Sequence, residues 1–143
     1  MVDLEKWIKL YRSPNPAIRV RAAQALIHGG SEPPLSILLN ILDELSDAGL
    51  GAGAEKALMS RNDPALFDEM IKRLDAEDWF IREVSCNILG KLGNRQATPY
   101  LLKQVNDSHL MVRRAAGFAL ALLKDRMPYP RSSSNMKSAL TKI

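Results

Sequence analysis

The chain has 143 residues, 46% of them hydrophobic and 25% charged, with a formal charge of +4 and one cysteine. That length suits one domain with a sizeable core, and a lone thiol excludes an internal disulfide framework. No apolar run reaches the roughly 18 residues of a membrane span, and LEKWIKLY carries two lysines and a glutamate where a secretory signal would be apolar, so a soluble, intracellular, cytoplasmic protein is expected.

The elements follow in chain order. Leu4, Trp7, Ile8 and Tyr11 recur at i, i+3, i+4 and i+7, a helical stripe. Beyond SPNP, the segment AIRVRAAQALIHGG from Ala17 reads as a second helix. GGSEPP then precedes Leu35, Leu38, Leu39 and Leu42, and LSDAGLGAGAEKALMS follows as the partner helix. After NDP come Phe67, Met70, Ile71 and Leu74, then FIREVSCNILGKLG from Phe80. Past GNRQATP come Thr98, Leu101, Leu102 and Val105, then MVRRAAGFALALLK from Met111. Pro and Gly punctuate the joints, where they belong.

Sliding the chain over itself reveals a repeat. Ile18, Ile81 and Val112 align, each followed by an arginine: Arg19, Arg82 and Arg113. Ala22, Ser85 and Ala116 align next, then Ala25, Ile88 and Ala119, then Leu26, Leu89 and Leu120. The last two segments lie 31 residues apart and the first lies 63 before the second, which leaves room for one more unit. Leu50, Ala54, Ala57 and Leu58 fill it, with Gly51 in place of the arginine. The pattern predicts four helical hairpins, eight helices in all, in units of about 3–30, 33–61, 63–93 and 95–127. One such hairpin cannot bury its own apolar stripe, so neighbours must stack, with the small residues at Ala22, Ala54, Ser85 and Ala116 allowing close approach. Arg19, Arg82 and Arg113 are expected to reach acids or turn carbonyls in a ladder, with Asp75, Asp78 and Asp107 at suitable distances.

A unit of about 31 residues with this D-x-x-x-x-[IV]-R-x-x-[AS]-[AC] pattern resembles the short HEAT repeat of phycobilisome-lyase type, best from Asp78 to Gly93 and on from Gln96 to Leu123. The resemblance implies an all-α, right-handed α-solenoid over residues 1–127 that works as a non-catalytic interaction module, scaffold or adaptor. Its protein partner would meet the concave face and would be a phycobiliprotein or another photosynthetic component. The alternative it implies is a subunit of a bilin lyase, which attaches chromophore to a cysteine of its acceptor, so Cys86 would not be required.

Several residues have a chemical and a plain reading. Cys86 aligns with Ala23 and Gly117, so it reads as a small hydrophobe at a close contact. His28 and His109 lack metal-ligand spacing, and the His-Glu pairs of related di-iron hydroxylases are replaced here by His-Gly and His-Leu. No metal or cofactor is expected. The GLGAG run, Gly49 to Gly53, lies in a helical repeat rather than after a strand, so it is no dinucleotide loop. Three glycines inside a helix would cost about 3 kcal/mol and leave it the loosest of the stack. Trp79 and Phe80 either anchor a partner or pack one ring on the fourth unit. With them, Arg21, Arg82, Glu83, Arg113 and Arg114 make the candidate partner-binding set. Residues 128–143 carry +3 and no acid, leaving +1 for residues 1–127, so no nucleic-acid partner is expected. That basic tail, with MKSALTKI as a short amphipathic segment, reads as an end cap or as a ligand for a partner.

Overall fold

A computed structural model describes residues 3–125. The basic tail expected at 128–143 lies outside the described residues. The fold class is all-α: eight α-helices and no strand among the described residues. They are α1 (Leu4–Tyr11), α2 (Pro16–His28), α3 (Leu35–Leu45), α4 (Gly51–Arg61), α5 (Leu66–Arg73), α6 (Trp79–Leu92), α7 (Thr98–Gln104) and α8 (Leu110–Asp125). The chain divides into two compact units, residues 1–69 and 70–143.

In the first unit, α1 packs on α2 and α3 on α4. Helix starts are fixed by short polar side chains that satisfy otherwise orphaned amides. The Asp3 carboxylate accepts the Lys6 N–H at 3.2 Å, and the Asn15 side chain accepts the Ala17 N–H at 3.0 Å, just ahead of Pro16. Leu26, Leu38, Ile41, Leu42, Ala54 and Leu58 form the buried core.

The glycine run departs from expectation. Gly49 stands outside α4 at φ +82°, closing a 3-10 turn over Ser46–Ala48, and the helix begins only at Gly51. A left-handed φ is where glycine costs least, so the sum of three interior penalties does not apply. Gly53 has its own reason: a Cβ there would lie 2.9 Å from Ile27 Cγ2 on α2.

In the second unit, α7 packs on α8, and α6 lies along α8 in the most extensive helix contact of the chain. The Asp78 side chain accepts the Phe80 N–H at 2.9 Å and starts α6, and Gly93 at φ +75° stops it. Ala22, Ala54, Ser85 and Ala116 are all fully buried, as the repeat requires. Ser85 satisfies its hydroxyl by donating to the Ile81 carbonyl at 2.7 Å. Gly90 lies against α8 so closely that a Cβ would come within 2.7 Å of Ala119 Cα.

Candidate functional site

Of the candidate residues, Trp79, Phe80, Arg82, Glu83, Arg113 and Arg114 lie on α6 and α8 of the second unit, whereas Arg21 is an exposed residue of α2 in the first. Asp107, in the turn between α7 and α8, organises this region. Arg82 donates from Nε to Asp107 Oδ2 at 2.9 Å and from Nη2 to Oδ1 at 3.1 Å. Its Nη1 also donates to the carbonyls of Ala76 and Glu77, both at 2.8 Å. This bidentate contact plus two carbonyls uses the planar fork of arginine fully. The hydrogen bonds from Arg82, and a further one from the His109 amide, hold the Asp107 carboxyl below the usual carboxylate range.

The expected ladder is therefore present, and it changes the binding set. Arg82 is committed to structure and does not belong to a surface awaiting a partner. Arg113 donates to its own turn's Asp107 carbonyl at 2.8 Å, and in the first unit Arg19 pairs with Glu44. Glu44 sits on α3 rather than in a turn, and Asp78 serves as a cap, so neither role matches the simple turn-acid scheme.

Trp79 follows the plainer of its two readings. Its ring stacks on His109 with centroids 3.9 Å apart and planes 6° from parallel, and Phe80 meets it edge-on at 5.9 Å. One face of the indole is thus covered while the side chain stays partly exposed. Sequence reasoning missed the work of His109, whose Nδ1 accepts the Met111 N–H at 3.1 Å and starts α8. The Asp-x-His spacing ahead of an apolar run was the available signal.

Cys86 is fully buried. Burial first, then the negative charges of Asp107 and Glu83, push its thiol up to about 12, against the opposing pull of Arg82. A thiolate is scarce there, so nucleophilic chemistry is disfavoured. Among the described residues no three His, Cys, Asp or Glu side chains converge on a metal-binding position. No helix among them is long and apolar enough to cross a membrane.

Two exposed apolar side chains in the second half of α8 were not among the candidates. Phe118 is 67% exposed and Leu122 41%, one turn apart beside a hollow completed by Asn87, Lys91, Ala119 and Ala121. The repeat alignment makes them conspicuous. Phe118 falls in the column of Gln24, Lys56 and Asn87, and Leu122 in that of His28, Ser60 and Lys91. Those columns are polar in the other three repeats and apolar only here. Met111 is also exposed, with the exposed Arg114 one turn further on.

A profile of HEAT repeats matches residues 67–142, just over half of the chain. The transcription antitermination protein NusB of Novosphingobium aromaticivorans is 33% identical over 110 residues, which cover 76% of this chain and 68% of that protein.

Proposed function

Because this chain belongs to the HEAT-repeat family, whose repeats are generally protein-interaction modules, we propose that it is a non-catalytic adaptor that grips a protein partner with the exposed face of its second helices. The observation that carries this reading is the apolar pair Phe118 and Leu122 in columns that are otherwise polar. Large apolar groups clustered on a surface are what partners bury. Met111 and Trp79 extend the apolar area, Arg114 adds a cation, and Arg21 of α2 belongs to the same set in the four-repeat reading of residues 1–127. An acidic partner with apolar anchors suits this composition.

The test is affinity capture from native extract with the full chain and with its Phe118→Asp/Leu122→Asp variant. A stoichiometric partner held by the first and lost by the second, at unchanged helicity, is the expected result. Equal retention by both removes the proposed surface.

Two more specific readings follow from likeness. The 33% identity to a transcription antitermination protein favours a partner in the transcription apparatus, and changed readthrough of a terminator in a purified reaction tests it. A phycobiliprotein partner, or a bilin-lyase role, rests on the resemblance of the roughly 31-residue repeat and its D-x-x-x-x-[IV]-R pattern to the phycobilisome-lyase type. A coloured covalent adduct formed with bilin and apo-acceptor only when this protein is added is its signature.

A further inference from the structure

The 31-residue register carries α6 onto α8, so that Trp79, Arg82, Cys86 and Gly90 correspond to Leu110, Arg113, Gly117 and Ala121. On α6 all four are met by the hairpin that follows. His109 stacks on Trp79, the Asp107 carboxylate takes the Arg82 guanidinium, Cys86 is sealed, and Ala119 lies against Gly90. On α8 the same four positions are open among the described residues. Leu110 is 55% exposed, and a Cβ at Gly117 would meet nothing within 4 Å. Ala121 is exposed, and Arg113 spends one donor on its own turn's carbonyl, with no carboxylate of the described residues paired with the rest of its fork. The α8 face is thus built like the one that α7 and α8 cover, down to the arginine that waits for an acid.

We propose that this face of α8 docks a helical hairpin of a partner protein that presents an Asp or Glu from the turn between its two helices. The surface borders the Phe118–Leu122 groove, sharing Ala121 with it, but is centred on Arg113 and goes beyond the adaptor reading, naming a second contact and its chemistry. The need for a carboxylate selects the occupant. Residues 126–143 contain no Asp or Glu, so that segment has no acidic side chain to offer Arg113. A second copy is also a poor donor. The place six residues before the ladder arginine, held by Asp107 in the fourth repeat, is Ser13 in the first, Leu45 in the second and Ala76 in the third. Asp107 itself already holds Arg82. Repeated head-to-tail stacking of copies would moreover leave an open-ended chain rather than a closed assembly.

The probe is a labelled, stapled synthetic hairpin with the sequence of residues 95–125, confirmed helical by circular dichroism, titrated onto the full chain by fluorescence anisotropy. Saturable binding is expected. Arg113→Glu in the full chain should weaken it at least about tenfold, and a helical probe carrying Asp107→Lys should recover affinity for that variant. Gly117→Trp should block binding without altering the melt of the full chain, since its Cβ points into open space. No binding by a helical probe overturns the proposal, and so does binding indifferent to Arg113→Glu, which would mean exchange onto α6. Sedimentation showing Arg113-dependent self-association makes the second copy the occupant and overturns it as well. A photo-crosslinker replacing Ala121 that joins only to residues 126–143 does the same in favour of the chain's own segment. Failure of any of these kinds leaves the Phe118-dependent capture intact, so the two readings fall separately.

Discussion

Helices α4 and α6 hold the same place in their repeats, yet they are secured by different means. Helix α6 is capped by Asp78 and tied through Arg82 to two turns. Helix α4 has Gly51 at the arginine position and no side-chain cap at its start. Each brings a glycine against another second helix, Gly53 toward α2 and Gly90 toward α8. The neighbours differ: Gly53 faces the end of an isoleucine side chain, which can move, whereas Gly90 faces backbone, which cannot. One residue type therefore serves a forgiving contact in the first unit and a rigid one in the second.

The sharpest way to break the comparison is Arg82→Met. It removes four donated hydrogen bonds and leaves the Asp107 carboxylate nearly buried without its cation. We expect a loss of about 2–4 kcal/mol in urea unfolding; a loss under about 1 kcal/mol would make the ladder ornamental. Acid titration sharpens the same point. The Asp107 carboxyl is depressed in the folded state, so its stabilisation is complete above the unfolded value near ~3.9. It is lost as pH falls through the folded value, and the Met variant should lack that acid limb.

Next in size is the pair of glycine substitutions. Gly90→Ala should cost about 1–3 kcal/mol, because a Cβ against Ala119 forces the helices apart. Gly53→Ala gains about 1 kcal/mol of helix propensity against a small shift of Ile27, so its unfolding midpoint should stay close to the wild type. Equal losses at both sites would show that the two contacts are alike after all.

The smallest effect concerns Cys86. The native protein should resist iodoacetamide at pH 8, its labelling rate following unfolding rather than thiolate content. Because the folded thiol keeps its proton to about 12, the unfolded chain ionises first, and stability declines as pH rises beyond the ordinary thiol range. Rapid labelling of the folded protein would contradict the burial described above.

Much of the fold was legible because a stacked repeat writes one physical demand four times. Ala22, Ala54, Ser85 and Ala116 aligned, and all are buried. The roles of Arg82 and the glycines were less legible. A letter does not state whether a fork is fully occupied, or whether a glycine serves a positive φ or a close approach. The exposure of Phe118 and Leu122 was in fact written in the alignment, in columns otherwise held by Gln24, Lys56, Asn87, His28, Ser60 and Lys91. An apolar residue in a helix is by itself compatible with a core, so only the comparison of columns sets these two apart.

Asp107 takes part in several contacts at once. Its carboxylate grips Arg82 and accepts the His109 amide, and its carbonyl accepts Arg113. Opening the turn before α8 therefore also releases the start of α6, and neither can fray alone. In a linear array whose stability is a sum of unit and interface terms, such a residue enlarges the interface term at the expense of independence. Amide hydrogens at the starts of α6 and α8 should accordingly exchange with solvent in one concerted opening.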